Sequence, residues 1–261
     1  MCTDELLTIA LTAAKTSGDI LLSGFGSAVS HESKEGRHNL VTEYDFRSEA
    51  SIIDVLRSYT PDATIITEES GHHTGKNNLV WVVDPLDGTV NFAHGIPLFC
   101  VSIAAVVDGQ IVCGVVHQPQ LAETFSSQIG RGSFCNGRRM QVSATPRLED
   151  SILVTGFPYN VHDNPLNCIG QFAQIVGKGL PVRRLGSAAL DLAYVADGRF
   201  DGYWEVALQP WDMAAGVLLV TEAGGCVTHY HGRPFTLGHD SIIATNGHIH
   251  TELTAALEVD A

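Results

Sequence analysis

Apolar residues recur at helical spacing from the start of the chain. Leu6, Leu7, Ala10, Ala13, Ala14 and Leu21 fall near one face of a helix over residues 3–24, with stop signals at Gly24 and Gly26. Residues 27–40 are polar, contain Gly36 and read as an exposed loop. A second helix is expected from Asp45 to Leu56, with Ile52, Ile53 and Leu56 inward and Pro61 beyond its end. Strand-like runs follow. Ala63 to Thr67 is short and β-branched, and Leu79 to Val83 is apolar on both faces, as in a strand buried on both sides. Val101–Val107 and Ile111–His117 flank Asp108-Gly109-Gln110, a hairpin signal. The stretch 130–141, rich in Gly, Arg and Asn, predicts turns and short strands.

From about Ser143 the pattern alternates. Strands are expected at 152–156, 181–184, 200–206, 226–230 and 241–245. Helices are expected at 164–176, 187–196, 211–223 (stopped by Gly224-Gly225) and 248–257. This order predicts an α+β half over 1–142 joined to an α/β half over 143–261, with no linker, repeat or low-complexity segment.

Composition narrows the function classes. At 261 residues, 44% hydrophobic and 17% charged, the chain can bury a sizeable core. A net charge of −14 disfavours general nucleic-acid binding. An acidic protein acting on anions needs local positive charge, and bound cations are the simplest source. The six cysteines show no zinc spacing and read as reduced, mostly buried thiols. The opening Met1-Cys2-Thr3-Asp4-Glu5 lacks a basic stretch, so no signal peptide is expected. No apolar run is expected to span a bilayer, which leaves the cytoplasm as the default location.

The central chemical signal is Trp81-Val82-Val83-Asp84-Pro85-Leu86-Asp87-Gly88-Thr89-Val90-Asn91-Phe92. A buried strand delivers two carboxylates to a sheet edge, where they repel unless a cation lies between them. Oxygen ligands without His or Cys favour a hard ion such as magnesium. Gly88 permits close approach of a ligand, and free N–H groups at a helix or turn starting there would suit a phosphate. The Thr89 hydroxyl could orient a water. Read blandly, the segment is a solvated Asp-Gly turn; the flanking strand and the Gly-Thr favour metal and phosphate chemistry. Glu68-Glu69, Asp212 and Asp45 join this site only if they converge in space; otherwise Glu69 is a solvated loop residue, and Asp45 and Asp212 are helix N-caps.

The segment Asp84 to Phe92 resembles the first signature of the inositol monophosphatase family. Trp211-Asp212-Met213-Ala214-Ala215-Gly216, running on to Thr221-Glu222-Ala223-Gly224-Gly225, resembles its second. Leu40-Val41-Thr42-Glu43-Tyr44-Asp45 and Glu68-Glu69-Ser70 are similar to two further family segments, and order and spacing agree over essentially the whole chain. The resemblance implies a layered αβαβα sandwich, a homodimer, lithium sensitivity and two to three magnesium ions. It implies one ion on Glu68, Asp84 and the Leu86 carbonyl, a second on Asp84, Asp87 and Asp212, and a weaker third near Glu68. Gly88 and Thr89 would receive the phosphate, with Asp87 also on the substrate side, and Lys34 would close over the site. Glu205, Ser187 and Ala188 would line the pocket for a small phosphorylated polyol. The implied chemistry is in-line attack by water oriented through Thr89 and Asp45, with no covalent phosphoenzyme and two cations about 4 Å apart clamping the phosphate.

Two departures weaken strict inositol specificity: Gln209-Pro210 before Trp211, where animal relatives carry His-Cys, and Arg199, which is more like bacterial members. Other substrates considered are 3′-phosphonucleotides, histidinol phosphate and fructose 1,6-bisphosphate; a third reading is a regulatory partner of transcription or RNA-processing machinery. The His72-His73, His229/His231 and His248/His250 pairs read as surface histidines, not metal ligands. Arg138-Arg139 and Arg183-Arg184 read as solvated or ion-paired surface. Ser187 lacks a nucleophile-elbow pattern, which argues against serine-hydrolase chemistry.

Overall fold

The computed structural model describes residues 1–27, 31–33, 40–239 and 241–258. Lys34 lies outside the described residues.

The chain opens with α1 (Thr3–Gly24), then a short antiparallel pair, β1 (His31–Ser33) and β2 (Leu40–Thr42), the first of these falling inside the stretch expected to be loop. Next come α2 (Glu43–Tyr59), β3 (Thr64–Thr67), β4 (Gly71–His73), β5 (Leu79–Asp87) and the one-turn α3 (Thr89–Ala93). The meander β6 (Cys100–Val107), β7 (Gln110–Gln118), β8 (Glu123–Gln128), β9 (Gly132–Cys135) and β10 (Arg138–Arg139) completes an eight-stranded sheet in the order β10-β9-β8-β7-β6-β5-β3-β4. All its pairs are antiparallel except β3 with β5. The remainder supplies β11 (Leu153–Thr155), α4 (Cys168–Gly177), β12 (Val182–Arg183), α5 (Ala188–Ala196), β13 (Gly202–Val206), α6 (Pro210–Glu222), β14 (Cys226–Thr228), β15 (Ser241–Thr245) and α7 (His250–Leu257). Its five strands form a mixed sheet in the order β12-β11-β13-β15-β14. Strands β4 and β8 have no counterpart in the sequence pattern; Ser126, Ser127 and Gln128 hide β8 among polar residues.

Strand alternation sorts the core into layers. On β5 and β6, Trp81, Val83, Val101, Ile103 and Ala105 pack with α1 and α2, whereas Val82, Ala104 and Val106 join the α5–α6 layer. On β13 and β15, Tyr203, Ile242 and Ala244 face that middle layer, and Trp204, Val206 and Ile243 face outward toward α4 and α7. The order is therefore helix, sheet, helix, sheet, helix, an αβαβα sandwich as the resemblance implies. Trp81 is fully buried and its indole N–H donates to Thr60 Oγ1 at 3.0 Å, so its polar edge is satisfied inside the core.

Helix α1 corrects the expectation that no apolar run reaches membrane length: its 22 residues include an 18-residue stretch with a mean hydropathy of 1.2. Its apolar residues serve the core, since Leu6, Ile9, Ala10, Ala13, Ala14 and Leu21 are buried against α2 and the first sheet. All six cysteines are free thiols; Cys100, Cys113, Cys135 and Cys168 are buried. Two histidines contradict the surface reading. His229 is buried, with Nδ1 at 2.7 Å from the Ser241 carbonyl and Nε2 accepting from the Thr236 N–H at 2.9 Å. His250 is half-buried between the Thr228 and Thr245 hydroxyls, and burial lowers its pKa.

Candidate active site

The site begins with strand register. Thr67, the last residue of β3, pairs in parallel with Val83 of β5, so Glu68 and Asp84 emerge side by side at the ends of neighbouring strands. On the other flank Ser102 of β6 pairs with Asp84, and its hydroxyl donates to the Trp211 carbonyl at 3.2 Å. That bond ties the first turn of α6, and with it Asp212, to the same sheet edge. The β5–β6 register shifts between Asp84 and Asp87, an irregularity that lets Asp87 swing toward α5.

Asp45 and Asp212 sit at matching positions. Each is the third residue of its helix and closes a capping box, not the N-cap that the sequence suggested. Asp45 Oδ2 accepts from the Thr42 N–H at 2.8 Å and the Thr42 hydroxyl at 2.6 Å. Asp212 Oδ2 accepts from the Gln209 N–H at 2.7 Å. Pro210 suits the first helical position, where no N–H partner is needed, so the departure Gln209-Pro210 is a complete helix start.

Gly88 turns the chain between β5 and α3 with φ of 95°, and a Cβ there would stand 2.8 Å from the Leu98 carbonyl oxygen. Only glycine fits. Thr89 follows, and its hydroxyl lies 2.9 Å from Asp45 Oδ1 and 3.0 Å from the Leu86 carbonyl. It has one proton for two acceptors; donation to Asp45 leaves the Leu86 oxygen available to a cation.

Asp87 Oδ2 accepts from the Ser187 hydroxyl and the Ala189 N–H, each at 2.7 Å. Ser187 is the N-cap of α5 and lines a cavity, and its hydroxyl is committed to Asp87. The Ala189 N–H is invisible in the sequence, since any residue type but proline supplies one. Burial is the first cause of the raised pKa values throughout: Asp87 is pushed up to about 6 and Glu205 to about 7. Asp84 and Asp212 are raised further by burial and then by neighbouring carboxylates, Glu68 and Asp87 among them. Asp45 is raised by burial against the lowering effect of its Thr42 and Thr89 hydrogen bonds.

Asp87, Gly88, Ser187, Ala188, Glu205 and Asp212 line a cavity of about 650 Å³. Glu205 Oε2 accepts from the Tyr203 hydroxyl at 2.6 Å, and Gly156 leaves room for that carboxylate. Arg184 also lines the cavity, together with Tyr159, His162 and Asp191. In the sequence Arg184 reads as bland surface, and only the fold turns it toward Glu205 and Asp191. Arg138 does pair at the surface, with Asp197 at 2.6 Å. Arg199 lies over the Tyr194 ring at 4.5 Å and bonds Glu123 and Asp197.

The chain belongs to the inositol monophosphatase family. The family model matches residues 3–260. An inositol-1-monophosphatase of Synechocystis is 43% identical over 252 residues, covering 96% of this chain and 88% of that one. The Nus factor SuhB of Salmonella typhimurium is also 43% identical, over 92% of this chain and 89% of its own. The crystal structure of the extragenic suppressor protein suhB from Bartonella henselae superposes with a TM-score of 0.92 at 40% identity, covering 98% of this chain and all of that one. Membership makes the protein a phosphatase, a phosphoric monoester hydrolase.

The donor set suits a hard divalent cation. Glu68, Asp84, Asp87 and Asp212 act on one another electrostatically. The Cys100 thiol lies 3.8 Å from Asp87 Oδ2, but burial and the neighbouring carboxylates push its pKa well up, so it stays protonated and leaves the oxygens as the donors. Among the described residues no three His, Cys, Asp or Glu side chains close into a cage as they stand. The fit therefore rests on chemistry and mutual repulsion, not on a preformed coordination shell.

Proposed function

We propose that this phosphatase hydrolyses the phosphate ester of a small polyol, myo-inositol 1-phosphate foremost, with Mg²⁺ as cofactor. The observation that carries the reading is the gathering of Asp84, Asp87 and Asp212, whose pKa values are raised first by burial and then by neighbouring carboxylates, at a sheet edge beside Gly88 and Thr89. Glu68, Asp84, the Leu86 carbonyl, Asp87 and Asp212 would hold two to three cations, which when bound supply charge neutralisation and Lewis-acid stabilisation at the phosphoryl group. Gly88 and the start of α3 leave backbone N–H groups for the phosphate oxygens. Thr89, hydrogen-bonded to Asp45, orients the attacking water and passes its proton toward that carboxylate. Glu205, held by Tyr203, faces the ring hydroxyls, with Ala188 against the ring. Lys34 closing over the phosphate, lithium inhibition and a homodimer belong to the same reading.

A substrate panel at fixed Mg²⁺, compared by kcat/KM, tests it. Inositol 1-phosphate should lead 3′-phosphonucleotides, histidinol phosphate and fructose 1,6-bisphosphate; a clear lead for a nucleotide would overturn the assignment.

A second reading is favoured by the Nus factor name of relatives at 43% identity. In it the fold also serves as a partner of transcription machinery. Complementation in the native host by Asp87→Asn decides: a phenotype rescued without turnover supports a partner role, and failure with normal expression removes it.

A further inference from the structure

Glu49 is a buried carboxylate that the proposed mechanism does not use. It lies on α2 one turn after Asp45, and only 4% of its surface is exposed. Its hydrogen-bond donors come from one short segment. Oε2 accepts from the Thr67 hydroxyl at 2.6 Å and the Glu69 N–H at 2.9 Å; Oε1 accepts from the Ser70 N–H at 3.0 Å. Between these anchors stands Glu68. A carboxylate that takes three donors from four consecutive residues fixes the backbone of that turn and, through it, the direction in which the enclosed side chain leaves.

The neighbour Ser48 works alongside. Its hydroxyl donates to the Pro85 carbonyl at 2.6 Å and pairs with the Ser17 hydroxyl at 2.5 Å, all within the buried interior. Asp45, Ser48 and Glu49 fall at i, i+3 and i+4, so one helix face touches Thr89, the Asp84–Asp87 segment and the 67–70 turn.

We infer that Glu49 is a positioning residue: its carboxylate clamps the 67–70 turn and thereby aims Glu68 at the cation site. The inference rests on the proposed role of Glu68 as a cation ligand.

Isothermal titration of the full chain with Mg²⁺ tests it, using wild type, Glu49→Gln, Glu68→Gln and the double variant. The amide introduced by Glu49→Gln keeps one acceptor oxygen but turns a donor toward other donors, so the clamp opens without a large change in volume. The Mg²⁺ dissociation constant is expected to rise about tenfold, as for other supports of metal ligands. Turnover should recover at high Mg²⁺, and the double variant should bind no more weakly than Glu68→Gln alone. Ile52→Val, in the same helix core, should lower Tm without moving Mg²⁺ affinity. Unchanged affinity in Glu49→Gln beside weakened affinity in Glu68→Gln would overturn the clamp and spare the ligand role. Fully additive losses would overturn it too. Unchanged affinity in Glu68→Gln would instead sink the ligand reading beneath it. Should Glu49→Gln fail to fold, Thr67→Val removes one donor from the same carboxylate and is expected to weaken Mg²⁺ binding about threefold; no change would refute the clamp.

Discussion

At the floor, Asp87 and Asp212 line the cavity, and they share one feature with the buried Asp45 and Asp84 of the same site: each accepts a backbone N–H at 3.0 Å or less. On its wall, Tyr159, His162 and Arg184 are exposed side chains outside the α-helices and strands, and Glu205 is seated through Tyr203. The floor is pinned by main chain that any sequence with this fold reproduces; the wall is set by side-chain choice. Such a division lets the chemistry stay fixed while the accepted substrate changes with loop residues. It also explains why family membership settles the reaction class before the substrate.

The comparison breaks first at Asp87. Asp87→Asn keeps an acceptor for Ser187 and Ala189, so circular dichroism should be unchanged while kcat falls on the order of 10³-fold. A smaller loss would mean that the floor tolerates a missing charge. Thr89→Val removes the hydroxyl facing Asp45 in a near-isosteric frame; phosphate release should fall about 10²-fold, with Thr89→Ser recovering most of it.

Cation binding should separate floor from wall by stability. The raised pKa values mean that ionising these carboxylates costs folding free energy, which a bound cation returns. With Mg²⁺ near a hundred times its dissociation constant, Tm at pH 8 should rise by about 5 °C over a chelator control. The gain should shrink toward about pH 5.5, where protons compete for the same oxygens. Equal shifts at both pH values would contradict the assignment.

The mildest change is expected at the wall. Glu205→Gln retains the Tyr203 contact, so kcat should stay within a few-fold while KM for the polyol phosphate rises about tenfold. Glu205 is also expected to leave a pH signature. Its folded pKa of about 7 stands above its ordinary value of 4.5, so the unfolded chain releases this proton first. The contribution to stability is full below about pH 4.5 and lost as pH rises through about 7. Thermal unfolding of Glu205→Gln between pH 5 and pH 8 should show a shallower decline than wild type; parallel curves would count against the buried acid.

Much of this is legible in the residues themselves. The apolar run before Asp84, the Gly-Thr after Asp87 and the helix stop at Gly224-Gly225 report on local geometry, and local geometry follows from side-chain shape and backbone freedom. Strand β8 escapes notice because its polar residues mask the alternation that marks a strand. Asp45 and Asp212 are legible as helix starts, yet their place in the capping box depends on where the helix begins. Arg184 and Glu49 carry no local signal of a site; an arginine pair such as Arg183-Arg184 or a mid-helix glutamate is ordinary surface until the fold gives it a neighbour.

What the sequence alone determined was most of the elements, the carboxylate-rich strand end and the resemblance that joins them, because each depends on residues adjacent in the chain. What only the tertiary structure decided was convergence. The parallel β3–β5 register, the Ser102 bond to α6 and the α5 N–H on Asp87 bring together residues as distant in the chain as Glu68 and Asp212. Their mutual repulsion inside a low-dielectric edge is a property of distance in space, which no spacing along the chain encodes.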